Sequence, residues 1–84
     1  MEASFAYGNS LYTTPRQAAR AAVGDFMYGW NNSLADVAAM DPSETVAEIQ
    51  ECGWVVPGDW SHDDLVAMAA EISSEAKGAA SKHG

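Results

Sequence analysis

Apolar positions recur along the 84-residue chain mostly at helical spacing, after a short opening stretch that alternates. In the opening stretch Phe5 and Tyr7 alternate with small residues. Gly8-Asn9 then supplies a two-residue turn signal, and Leu11-Tyr12-Thr13 a β-prone return strand, which predicts a hairpin. Ala19, Ala22, Val23, Phe26 and Trp30 follow as one stripe of a first helix. Thr14 is its cap, Pro15 stands where a missing N–H costs nothing, and Asn31-Asn32 ends it. Gly24 inside that helix costs about 1 kcal/mol against alanine unless a neighbour needs the space.

Ser33 with Asp36 opens a short second helix carrying Leu34, Val37 and Ala38 and ending near Met40. Asp41-Pro42-Ser43-Glu44 repeats the same start grammar for a third helix, with Val46 and Ile49 inward and a stop at Gly53. Ser61 and Asp64 open the last helix, whose stripe is Leu65, Met68, Ala69 and Ile72. Between these two, Trp54-Val55-Val56 reads as extended, and Pro57 keeps it out of a central strand position. The expected fold class is therefore α+β. A β-hairpin packs on three to four short helices, with a short third strand at Trp54–Val56. The domain plan is a single compact unit over residues 1–76 and a frayed tail at 77–84, where the sequence turns to Gly, Ala, Ser and Lys.

Charge placement changes this picture more than composition does. Twelve acids stand against four bases, for a net charge of −8. Every acid except Glu2 lies between Ala21 and Ala76, and no lysine or arginine does; Arg16, Arg20, Lys77 and Lys82 all sit outside that block. Such a balance argues against nucleic acid or an anionic membrane as a direct partner. At 100° per residue, Glu44, Glu48 and Glu51 fall within about 60° of one another, and Asp64, Glu71 and Glu75 within about 40°. Their spacings place carboxylates roughly 6 and 10 Å apart along each axis, the scale on which phosphates follow one another along a nucleic acid. This points to a protein partner with a Lys/Arg-rich surface, contacted through Glu44, Glu48, Glu51, Asp63, Asp64, Glu71 and Glu75, with Trp60 as candidate anchor. The bland alternative is a solvated face that confers solubility.

Reaction chemistry finds little to stand on. Asp59, His62 and Asp63 cluster within a few residues, but they match no metal loop, and acids in a first helical turn suit the helix dipole. Cys52 has no histidine placed to activate it and reads as a small buried hydrophobe. No enzyme activity, metal or cofactor is expected. No apolar run approaches the roughly 20 residues that span a bilayer, and Met1-Glu2-Ala3-Ser4 lacks a basic leader, so the expected location is the bacterial cytoplasm.

In its length, in the cation-free acidic block from Ala21 to Ala76 and in the hairpin-plus-helices plan, the chain resembles the small acidic anti-CRISPR proteins of phages and mobile elements. Those proteins share no motif, so no residue role carries over. The resemblance implies a non-enzymatic inhibitor that occupies a DNA- or RNA-binding surface of a CRISPR effector or similar complex. The alternative expectation is a small helical interaction module that meets its partner through an exposed apolar patch of Trp54, Trp60 and Met68.

Overall fold

A computed structural model of the chain describes residues 5–7, 10–12, 14–29 and 31–83. Helices dominate it: α1 (Pro15–Tyr28), α2 (Leu34–Ala38), α3 (Pro42–Cys52) and α4 (His62–His83). The only strands among the described residues are β1 (Phe5–Tyr7) and β2 (Ser10–Tyr12), three residues each, paired antiparallel with Phe5 opposite Tyr12. A ladder this short is no sheet on which helices could be layered, and it rests against α1. The expected α+β class is thus corrected to a mostly helical fold. The turn assigned to Gly8-Asn9 and the inward placement of Trp30 lie outside the described residues.

The helix starts follow from side-chain chemistry. Thr14 Oγ1 accepts from the Gln17 amide at 3.1 Å at the head of α1. Asp41 Oδ1 accepts from Ser43 N at 2.9 Å ahead of α3, and Ser61 and Asp64 exchange reciprocal bonds ahead of α4. Each satisfies donors that a helix N-terminus leaves orphaned. At the end of α1, Asn32 Nδ2 donates to the Met27 carbonyl at 2.7 Å.

Ser33 and Asp36 form a full capping box at α2. The Ser33 backbone N–H and then its hydroxyl, both donating to the Asp36 carboxylate, hold that carboxyl below its ordinary value of 3.8. A folded value below the unfolded one contributes stability that is present above the unfolded pKa and lost as pH falls through the folded one. Asp36→Asn should therefore flatten the acid limb of the stability–pH curve below that ordinary value, read by urea titrations at stepped pH. An unchanged limb would remove Asp36 from the acid response.

The third strand expected at Trp54–Val56 does not form; residues 54–56 lie outside both strands and helices. Gly53 takes a left-handed φ of 73°, its amide bonds back to Gln50 O, and the Trp54 amide reaches Ile49 O at 3.0 Å. That closure terminates α3 and commits the backbone at the point where a strand would begin. The stretch expected as a frayed tail is helical through residue 83. α4 continues through residues 77–83 because Ala76 is buried at the core edge and Lys77, Ala79 and Ala80 are strong helix formers.

One cluster forms the core: Ala19, Val23 and Met27 from α1, Val37 from α2, Val46 and Ile49 from α3, and Leu65, Met68, Ala69, Ile72 and Ala76 from α4. α4 packs against all three other helices, and Ser73 Oγ ties it to α2 by donating to Ala38 O at 3.1 Å. On α1 the expected inward stripe holds at Ala19, Ala22 and Val23, but Met27 takes the next buried place instead of Phe26. Met27 is fully buried, whereas Phe26 is only partly so. A methyl group at Gly24 would meet only Ile72 Cδ1, at 3.8 Å, an ordinary contact. Gly24→Ala should therefore stabilise the protein by about 0.5–1 kcal/mol through helix propensity. A lowered urea midpoint would instead show that the gap between α1 and α4 is closed.

Candidate functional site

The two acidic rows have different fates. On α4, Glu71 is ion-paired with Arg16 and Glu75 with Arg20. Arg16 and Arg20 stand one helical turn apart on α1, as Glu71 and Glu75 do on α4, so the two helices meet through a matched double pair. The cation-free block of the sequence is thus not cation-free in space, because α1 brings its arginines back onto α4. Asp64 is engaged in the capping box with Ser61, while Asp63 is exposed in the same first turn, where the helix dipole favours it.

On α3, Glu44, Glu48 and Glu51 are all exposed, and among the described residues none of them is in a salt bridge. They look onto a groove between α3 and the second half of α1. At one end a depression of about 260 Å³ is lined by Phe26, Asn32, Met40, Asp41, Glu44, Thr45 and Glu48. Its neighbour is lined by Phe26, Glu48, Glu51 and Cys52, and the far end by Asp25, Phe26, Gly29, Cys52 and Trp54. Phe26 runs through all three stretches, so the groove has an apolar floor and a carboxylate rim. None of the α4 acids lines it. Glu75 lies instead in a separate depression with Tyr12, Arg20, Tyr28 and Ile72.

Trp54 closes the far end of the groove. Its indole N–H donates to the Ala22 carbonyl at 3.0 Å, and its ring meets Phe26 edge-on at 5.5 Å and 69°. It nevertheless keeps 39% of its surface exposed. Cys52, expected to be buried, is exposed beside it. Its place in the last turn of α3, around the helix from Val46 and Ile49, accounts for this.

Trp60, the candidate anchor, is only partly exposed. Its indole N–H donates to Pro57 O at 2.6 Å and its ring packs on the core. Gly58 makes this wrap feasible: it has a φ of 100°, and a methyl group there would stand 2.4 Å from Trp60 Nε1. Met68 is 1% exposed and so contributes no surface to a patch with Trp54 and Trp60, of which Trp54 is exposed and Trp60 partly buried. Among the described residues no group of three His, Cys, Asp or Glu side chains is arranged to hold a metal ion.

The sequence pattern did not reveal Phe26 and Trp54 as groove residues. A stripe rule assigns Phe26 inward at i+3 from Val23, whereas Met27 at i+4 takes the buried place and leaves Phe26 only partly buried. The accessible signal was the pairing of an acidic α3 with an aromatic directly after its Gly stop. No helix among the described residues is long and apolar enough to cross a membrane. Comparison with protein-family models, with curated proteins and with solved structures finds no match to this chain.

Proposed function

We propose that this protein is a non-enzymatic inhibitor that occupies a basic, nucleic-acid-binding surface of a protein complex, of the CRISPR effector kind, through the carboxylate row of α3. The observation that carries this reading is the contrast between the two rows. Arg16 and Arg20 neutralise Glu71 and Glu75 within the chain, while Glu44, Glu48 and Glu51 stay exposed without a salt-bridge partner among the described residues. Three like charges on one helical face repel one another and add nothing to helix stability. Apart from the dipole's favour for Glu44 in the first turn of α3, they gain energy against cations from outside. The contact set expected from sequence accordingly narrows from seven acids to these three, with Asp41 at the head of the same helix.

Capture from nuclease-treated bacterial lysates carrying CRISPR systems, washed at low and high salt and read by mass spectrometry, tests the proposal. Recovery of a nucleic-acid-binding complex that salt releases supports it, since exposed charge pairs weaken within a Debye length of about 8 Å at physiological ionic strength. A partner that stays bound at high salt and has no basic surface would return the α3 row to a role in solubility.

A further inference from the structure

We infer that the far end of the groove, between Phe26, Cys52 and Trp54, is a seat for an arginine side chain carried on a basic, amphipathic segment of the protein partner; this rests on the basic-surface reading above and names what that surface inserts. The floor is aromatic and already ordered. Trp54 is pinned by its bond to Ala22 O and by the edge contact with Phe26, yet a large part of its ring is open. A ligand therefore need not pay to immobilise it.

The rim is anionic. Glu48 and Glu51 border the neighbouring stretch that shares Phe26 and Cys52 with the seat. The backbone adds to this field. α1 ends at Tyr28 and α3 at Cys52, both at this end of the groove, and neither has a basic side chain in its last turn. Neither helix thus sets a basic side chain of its own last turn against the partial negative charge of its C-terminus.

Apolar floor and anionic rim together select among side chains. A leucine or phenylalanine would use the floor and leave the rim unpaired. A lysine ammonium would use the rim, but it is strongly hydrated and has no flat face to lay on a ring. A guanidinium uses both, stacking on the aromatic floor while its edge donates to carboxylates. Arg20 is not a candidate from within the chain. It lies roughly 120° round α1 from Phe26 and is paired with Glu75.

The test uses the full chain and two acetylated helical peptides of equal charge, one with arginine along its polar face and one with lysine. The arginine peptide should bind about tenfold more tightly by calorimetry and should shift the Trp54 indole N–H resonance, assigned through Trp54→Phe. Cys52→Arg, which fills the seat from an exposed position, should cost the peptide about tenfold or more in affinity with no change in circular dichroism. Equal affinity for the two peptides, or wild-type binding by Cys52→Arg, overturns the seat. Lysate capture separates the two levels. Loss of the complex in the Glu44/Glu48/Glu51 charge reversal but not in Cys52→Arg rejects the seat and keeps the row. Retention in both rejects the basic-surface reading and the seat with it.

Discussion

Changing Glu44, Glu48 and Glu51 together to lysine should reduce affinity for the captured complex by about 100- to 1,000-fold while leaving the fold intact. Each exposed charge pair contributes up to about 1 kcal/mol, and reversal replaces attraction by repulsion, so three reversals amount to roughly 3–4 kcal/mol. The fold should tolerate the change because all three side chains are exposed and none has a salt-bridge partner among the described residues. Helix electrostatics nearly cancel as well. A lysine at position 44 opposes the dipole in the first turn of α3, while one at position 51 favours it in the last turn, each by about 0.3–1 kcal/mol. The matching control is Glu71→Lys with Glu75→Lys. It sets like charges against Arg16 and Arg20, and so lowers the melting temperature while leaving affinity almost unchanged. Surface plasmon resonance at two salt concentrations, beside circular dichroism melts, distinguishes these cases. Comparable loss of affinity in the triple α3 variant and the double α4 variant would mean that net charge, and not the α3 row, does the binding.

Why one acidic row is available and the other is not could not be read from the chain in order. Helical spacing identifies both rows correctly, because the 3.6-residue period is local. Whether a row meets a cation depends on the crossing of α1 over α4, which joins residues 55 positions apart. The same division holds for the fold. The caps at Thr14, Ser33, Asp41 and Ser61 and the stop at Gly53 mark helix ends almost to the residue, since each is a side-chain or left-handed-backbone device acting within a few positions. The fold class failed where a local signal had to be weighed against the whole. Two three-residue strands give the right alternation, but too little ladder to organise four helices. The groove was missed for another reason: after Val23 both Phe26 at i+3 and Met27 at i+4 satisfy a helical stripe, and the packing takes Met27. Composition alone also does not register that Ala76 is already buried and that α4 continues beyond it.

Met68→Ala should lower the melting temperature by roughly 10–40 °C. Met68 is 1% exposed and belongs to the core cluster, on the helix that packs against the other three. Truncating a buried methionine costs about 2–5 kcal/mol, through lost burial and the cavity left behind. In a domain of this size each kcal/mol moves the midpoint by roughly 4–8 °C. Total stability is on the order of 5 kcal/mol at the small end of single domains, so the variant should stand close to unfolding. Met40→Ala is the comparison. Met40 is only partly buried where it packs against the core and lines the groove, and its loss should cost clearly less. The pair also decides between two pictures of the surface. If Met68 belonged to an exposed patch with Trp54 and Trp60, its truncation would weaken partner binding and barely affect the melt. If it is the hub on which α4 gathers the other helices, the melt collapses, and whatever folded fraction remains binds its partner as tightly as before. A small thermal shift accompanied by a large loss of affinity would restore the patch and displace the groove as the binding surface.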